Sequence, residues 1–197
     1  MNNDKPMEAL GYWKIGVDYL HLVKCVIGET INQGNVNILL KSVPISEEMY
    51  AQETKWSDHN LIIPILFDFY HALEVIFKGF LISSGHPIEK NHKLSKLLSD
   101  FESCLPNNCI ASIAEKYIKQ DKLLPLIASF CNESGISVDE YYQALKYPES
   151  TSGNVYNHYP LKYQDKSGLT FFRQFIADVD QIKIATVTLG KSLCSAA

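Results

Sequence analysis

The stretch FDFYHALEVIFKGFLISSGHPIEKNHKLSKLL, residues 67–98, decides the fold that the sequence predicts. Its first half is almost entirely apolar, which predicts a helix in the middle of a helical domain. The sequence GHP at 85–87 ends that helix, because glycine and proline interrupt regular structure. A second helix is predicted to begin at 91–93, NHK. The stretch therefore predicts two helices joined by a short turn.

A single polar stripe runs along the central helix. Asp68, His71, Glu74 and Lys78 are spaced by three, three and four residues, so they share an arc of about 120°. Glu74 and Lys78 have the order that favours an intrahelical ion pair, and this structural interpretation of the stripe is favoured. The alternative is that the stripe forms one wall of a cleft in which the carboxylates and His71 act as acid–base groups.

Apolar periodicity predicts further helices along the rest of the chain. They cover about 7–32, 91–103, 106–120, 123–132, 137–145 and 168–190, and Ser137 with Glu140 predicts a capping box at the start of the fifth of these helices. The first helix has its predicted inner face at Leu10, Trp13, Val17, Leu20, Ile27 and Ile31. We therefore expect an all-α, up-and-down bundle of about five to seven helices with one long irregular loop, forming a single domain over residues 1–197.

Composition narrows the function classes. A formal net charge of -4 argues against broad, non-specific binding of nucleic acid, although a local basic patch could still bind it. The five cysteines have no disulfide or zinc spacing, so neither a disulfide framework nor a metal site is expected. No apolar leader is evident, and four polar residues interrupt the apolar run 61–82. These features predict a cytoplasmic chain with no membrane contact and no cofactor.

Several short motifs in this region resemble the HEPN family (higher eukaryotes and prokaryotes nucleotide-binding). The match begins with 72–74 (ALE) and Lys78, continues through Gly85, and includes 92–94 (HKL) at the next helix start. Residues 145–148 (LKYP) resemble the arginine-tyrosine-proline element of the family, with Lys146 in place of arginine. The closest resemblance covers 61–148. It implies a helical bundle, an association with nucleotides or RNA, and a homodimer.

The chain departs from the family at the ribonuclease motif. Ribonuclease members have an arginine followed a few residues later by a histidine, whereas the sole arginine here, Arg173, has no histidine after it. The resemblance therefore points to the non-nuclease branch, whose members often act beside a nucleotidyltransferase partner. On this interpretation a non-catalytic role is favoured.

The candidate site lies where the second helix of the stretch begins. Backbone N–H groups at a helix start attract phosphate, and nearby lysines would add charge. His92 is the candidate catalytic residue. The candidate phosphate-binding residues are His86, Lys90, Asn91, Lys93, Glu74, Lys78 and Lys146. The simpler alternative, which the sequence alone favours, is a solvated loop with Asn91 as the helix N-cap and His92 packed against a neighbour.

Three functions follow from these observations. The first is a non-catalytic or weakly catalytic nucleotide- or RNA-associated module. The second is a metal-independent ribonuclease of the toxin or phage-defence kind, in which lysine or histidine replaces the missing arginine. The third is a homodimeric interaction or scaffold protein that uses an apolar helix face left over after the bundle closes.

Overall fold

The computed structural model describes residues 5–37, 44–88 and 91–195, and this part of the chain is an all-α bundle. Its eight α-helices are α1 (Lys5–Asn32), α2 (Glu47–Thr54), α3 (Asp58–Ser83), α4 (Leu94–Cys104), α5 (Cys109–Ile118), α6 (Pro125–Ser134), α7 (Tyr141–Ala144) and α8 (Asp165–Ser195). The predicted fold class is therefore confirmed. The predicted number of five to seven fits the six helices that have ten or more residues, and the two additional helices are short.

The long helices α1, α3 and α8 build the centre of the bundle. Helix α3 lies mainly against α1, and α1 also packs along α8. Fourteen of the 26 residues of α3 are buried, which agrees with its apolar sequence. It is the one helix in the described ranges that is long and apolar enough to cross a membrane, and 56% of its most apolar window is buried inside the bundle.

The inner face of α1 agrees only in part with the predicted one. Leu10 is 46% exposed, while Ala9 and Gly16 are buried. A Cβ atom built on Gly16 would lie only 2.4 Å from the Cγ1 atom of Ile76 on α3. The two helices therefore approach along their small residues, and this rotates the larger Leu10 out of the contact. Three of the six predicted residues are buried, and the prediction is wrong for Leu10 because it counted only large apolar residues.

Trp13 fills the junction between α1, α3 and α8. Its indole is 4% exposed and lies against two glycines. A Cβ atom on Gly79 would lie 2.7 Å from the indole Cδ1 atom, and one on Gly190 would lie 3.0 Å from Cε3. The glycines thus provide the space that the largest side chain of the core occupies.

A buried carboxylate fixes the long irregular loop to the bundle. Asp58, at the start of α3, accepts hydrogen bonds from the backbone N–H groups of Tyr163 at 2.8 Å and Gln164 at 2.9 Å. It also accepts one from the Asn35 side chain at 2.8 Å. The end of α1, the start of α3 and the start of α8 therefore meet at one charge, whose oxygens are satisfied by donors.

A second buried carboxylate joins α5 to α8. Asp178 accepts hydrogen bonds from Lys116 Nζ at 2.8 Å, from the Tyr117 hydroxyl at 2.8 Å and from the Gln174 side chain at 3.0 Å. Its side chain is 2% exposed. A charge in this position is stable only while its donors remain in place.

We expect Asp178→Asn to lower the free energy of unfolding by about 3 kcal/mol, because Lys116 would lose its buried counter-charge. The matched control is Asp180→Asn on the same helix as Asp178, which breaks the ion pair between Asp180 and Lys24 of α1. Both side chains of that pair are 39% exposed, so the loss should stay below about 1 kcal/mol. Urea denaturation measures both values. Equal losses in the two variants would contradict a structural role for Asp178.

Candidate functional site

The candidate site is built around the carboxylate of Glu74, whose side chain is 3% exposed. Lys78 Nζ donates to Oε1 at 2.6 Å and the Tyr141 hydroxyl donates to Oε2 at 2.5 Å. The Nδ1 atom of His92 lies 2.9 Å from Oε1 and 3.0 Å from Oε2. Three donors from three parts of the chain thus satisfy one buried charge.

Local structure explains how the three donors converge. Lys78 lies one turn after Glu74 on α3, which confirms the predicted i,i+4 pair. Lys78 Nζ also donates to the Asn91 carbonyl at 3.1 Å, so the segment that carries His92 is fixed to α3. Tyr141 follows the 3₁₀ turn Val138–Glu140, whose capping box of Ser137 and Glu140 is present as predicted.

The hydrogen bonds decide the charge of Glu74. Burial alone would raise the pKa of its carboxyl group, but the bonds from Lys78, Tyr141 and His92 outweigh this effect and lower the pKa. The carboxylate can only accept hydrogen bonds, so the proton of a neutral His92 ring must be on Nδ1. The Nε2 atom of a neutral His92 then carries a lone pair, and it has no hydrogen-bond partner among the described residues.

The His92 ring is held by stacking as well as by its hydrogen bond to Glu74. Its ring stacks on Tyr142 with centroids 4.0 Å apart and an angle of 9° between the planes. The ammonium group of Lys146 lies 4.3 Å from the centroid of the same tyrosine ring, which is a cation–π contact. The His92 side chain remains 45% exposed. His92 packs against a neighbouring ring, as the simpler alternative expected, and it is at the same time an oriented and accessible imidazole.

The other polar residues of the α3 stripe stay apart from this centre. His71 Nδ1 is 3.9 Å from Glu74 Oε2, which is too long for a hydrogen bond, and the atom is buried without a partner in the described chain. Burial lowers the pKa of His71 and raises the pKa of Asp68. Both shifts favour neutral side chains. Asp68 and His71 therefore make no hydrogen bond to the Glu74 centre among the described residues, and an acid–base role for them stays a prediction.

The start of α4 differs from the predicted anion pocket. The helix begins at Leu94 with Lys93 as its N-cap residue, so the prediction of Asn91 as N-cap is wrong. Asp139 explains the difference, because its carboxylate accepts the Ser95 backbone N–H at 2.8 Å and the Ser95 hydroxyl at 2.5 Å. A protein carboxylate thus already occupies the anion-binding end of α4.

The remaining predicted site residues are distributed around this centre. The His86 Nδ1 atom lies 2.9 Å from the Pro87 carbonyl, and His86 has no bond to Glu74. Lys93 is exposed, and its backbone N–H donates to the Asn91 side chain at 3.1 Å. Lys90 lies outside the described residues. The structure therefore brings together Glu74, Lys78 and His92, with Lys146 beside them.

Sequence reasoning missed three residues of the site. These are Tyr141, Tyr142 and Asp139. Each contacts a residue of α3, of α4 or of the segment before α4 that is more than forty positions away in the sequence. One local signal was available, because Tyr142 and Lys146 are four residues apart and follow a capping box. That spacing predicts an aromatic ring and a cation on one helix face, although it cannot predict which histidine they meet.

The described residues contain no group of three or more His, Cys, Asp or Glu side chains that could hold a metal ion. An open groove of about 660 Å³ lies between α6 and α8, lined by Pro125, Tyr159 and Phe171 among others, and it contains none of the site residues. The groove and the Glu74 centre are therefore separate features of the molecule.

We expect Glu74→Gln to lower the free energy of unfolding by about 3 kcal/mol at pH 7, because Lys78 would lose its buried partner. The pKa of Glu74 is lowered in the folded state from 4.5, so the carboxylate stabilises the fold above pH 4.5. The difference between wild type and variant should shrink as the pH falls below that value. Urea denaturation at several pH values measures it, with the exposed Glu53→Gln as control. A difference that is independent of pH would contradict the role of the charge.

Comparisons with family models, with curated proteins and with solved structures found no match for this chain. The functional argument therefore starts from the geometry of the Glu74 centre. Its components are a buried carboxylate, an imidazole that this carboxylate orients, and an aromatic ring and a lysine on the same surface.

Proposed function

We propose that this chain is a nucleotide- or RNA-associated helical module that resembles HEPN proteins. Its binding surface, which we name the His92 face, consists of His92, Lys93, Tyr142 and Lys146. The proposal includes action beside a nucleotidyltransferase partner, which the resemblance implies. The single observation that carries the proposal is the His92 ring, which is oriented by Glu74, stacked on Tyr142 and still 45% exposed.

The chemistry of the His92 face suits a single-stranded nucleic acid or a nucleotide. Exposed aromatic and imidazole rings are surfaces on which bases stack, and such contacts do not depend strongly on sequence. Lys93 is exposed and has no acidic partner among the described residues. The ammonium group of Lys146 makes cation–π contacts with the rings of Tyr142 and Tyr147 and no ion pair among the described residues. Both ammonium groups are therefore available to phosphate.

The net charge of -4 favours a local contact over binding along the whole surface. With few lysines in contact, the affinity for RNA should depend only weakly on salt. This expectation separates the proposed module from general nucleic-acid-binding proteins, which have a large basic surface.

We expect Lys146→Ala to weaken binding of a short single-stranded RNA by about tenfold, because it removes one phosphate contact and the cation beside Tyr142. Tyr142→Ala should weaken binding by a similar or larger factor, because it removes the ring that holds both His92 and Lys146 in place. Fluorescence anisotropy with a labelled oligonucleotide measures both effects. Lys166→Ala, a change of an exposed lysine at the start of α8, is the control with the same change in charge. Absence of RNA and ATP binding by the wild type would refute the proposal.

A metal-independent ribonuclease is the second candidate, and one observation favours it. The carboxylate of Glu74 places the proton of a neutral His92 on Nδ1, which leaves the Nε2 lone pair to accept a proton from a ribose 2′-hydroxyl. In such a reaction the 2′-oxygen attacks the adjacent phosphorus and the 5′-oxygen leaves. Lys146 would then stabilise the charge that develops on phosphate, in the role of the missing arginine.

The ribonuclease hypothesis predicts cleavage of a labelled mixed RNA in EDTA by the wild type and none by His92→Ala. Glu74→Gln should reduce the rate by at least about tenfold, because it disturbs the position of the imidazole proton. Cleavage that survives His92→Ala would indicate a contaminating nuclease. A wild type that binds RNA without cleaving it would leave the binding module as the function.

A further inference from the structure

A groove between the first half of α1 and the last turns of α8 has apolar sides and an apolar base. It is open to solvent and has a volume of about 330 Å³, which is within the size range of ligand sites. Trp13 and Gly190 lie at its base and are buried. Met7, Leu10 and Val187 line its sides and remain 66%, 46% and 37% exposed. We name this feature the α1–α8 groove.

The two helices that form the groove run in opposite directions. Lys24 of α1 pairs with Asp180 of α8 at 2.7 Å. Closer to the N-terminus of α1, Trp13 packs against Gly190, whose Cβ position would lie 3.0 Å from the indole Cε3 atom. Residue numbers therefore rise along α1 as they fall along α8, and the residues that directly follow this contact on each helix lie at one level.

Two lysines stand on opposite sides of the groove at this level. Lys14 follows Trp13 on α1 and Lys191 follows Gly190 on α8, and both line the groove. Both lysines are exposed, and neither has an ion-pair partner among the described residues. None of the residues that the structure describes along the groove is acidic. The two positive charges are therefore unbalanced within the groove, and together they attract an anion.

The groove thus combines an apolar surface with a pair of cations. A phosphate ion would use the lysines and leave the apolar sides in water, whereas a neutral hydrocarbon would use the sides and leave the charges unbalanced. A molecule with an apolar chain and one anionic head complements both features. The longer apolar side of the lysine pair runs from Lys14 towards Met7 over seven residues, which is about 10 Å along the helix.

We propose that the α1–α8 groove binds a single-chain anionic amphiphile, of which a fatty-acid carboxylate is the simplest. The head of this ligand lies between Lys14 and Lys191, and its chain lies along Leu10 and Met7 towards the N-terminus of α1. The groove shares no residue with the His92 face. The proposal therefore does not depend on the function of that face.

Energy transfer from the groove measures binding directly. The chain has two tryptophans, so Trp56→Phe leaves Trp13 as the single donor. Dansylaminoundecanoate, a fluorescent fatty acid, should quench Trp13 as it binds, and dodecanoate below its micelle concentration should displace it. Dodecanoate should compete better than octanoate, by about twofold or more for each added methylene group, because longer chains bury more apolar surface. Dodecyltrimethylammonium, with the same chain length and a cationic head, should compete at least about tenfold less well.

Charge reversal tests the role of the lysines. The double variant Lys14→Glu with Lys191→Glu should reverse the preference, so that dodecyltrimethylammonium competes better than dodecanoate. The matched control is Lys55→Glu with Lys166→Glu, which changes the net charge equally at two exposed lysines outside the groove. The control should keep the preference for dodecanoate.

A polar substitution tests the position of the apolar chain. Leu10→Glu places a charge on one side of the groove and should weaken dodecanoate binding by at least about tenfold. Leu22→Glu is the matched control, because Leu22 lies on the same helix with a similar exposure of 49% and does not line the groove. It adds the same charge and should change the affinity by less than about twofold. Circular dichroism verifies that both variants stay folded.

Cysteine alkylation locates the ligand independently of fluorescence. Cys194 lines the groove and is partly buried, whereas Cys109 is exposed elsewhere on the molecule. Dodecanoate should slow the reaction of iodoacetamide with Cys194 and leave the reaction with Cys109 unchanged. Mass spectrometry of the digested protein measures both rates.

Four results would overturn the proposal. The first is a wild type that binds neither dansylaminoundecanoate nor dodecanoate. The second is equal competition by dodecanoate and dodecyltrimethylammonium, which would mean apolar adsorption without recognition of the head. The third is equal behaviour of the charge-reversal variant and its control, which would place the ligand outside the groove. The fourth is attachment to phosphatidylglycerol vesicles without binding of monomeric dodecanoate, which would make the surface a membrane contact.

Discussion

The burial of the Glu74 carboxylate is the constraint on which the site depends. An ionised group removed from water must be given donors, and this carboxylate takes them from α3, from the segment before α4 and from the start of α7. These segments are far apart in sequence, so the charge determines how they meet. One buried carboxylate therefore connects the stability of the bundle with the orientation of an accessible histidine.

Two other buried carboxylates, Asp58 and Asp178, are satisfied in a similar way, yet they differ from Glu74 in their donors. Asp58 receives backbone N–H groups and an asparagine amide, and Asp178 receives a lysine, a tyrosine and a glutamine. Only Glu74 among these three has a histidine as donor. Since imidazole can both donate and accept a proton near neutral pH, this difference separates the candidate site from the two structural ion centres.

Much of the fold follows from local sequence, because helices are encoded by short-range periodicity. The prediction of an all-α bundle is confirmed, and so are the central α3 helix, the Glu74–Lys78 pair and the capping box at Ser137. The predictions failed where a distant residue changed a local preference. Asp139 caps the start of α4 in place of Asn91, and the close approach of α3 to Gly16 rotates α1. The contacts of Tyr141 and Tyr142 could not be predicted for the same reason, since no pattern near them in the sequence indicates which residues they contact.

The position of Trp13 has a consequence for how this sequence can change in evolution. The indole fills space that exists only because residues 79 and 190 have no side chain, with distances of 2.7 Å and 3.0 Å to the places where their Cβ atoms would stand. A larger residue at either glycine would have to displace the ring of the core's largest side chain. Positions 13, 79 and 190, on three different helices, should therefore vary together: chains that lose the tryptophan become free to replace the glycines, and chains that keep it do not.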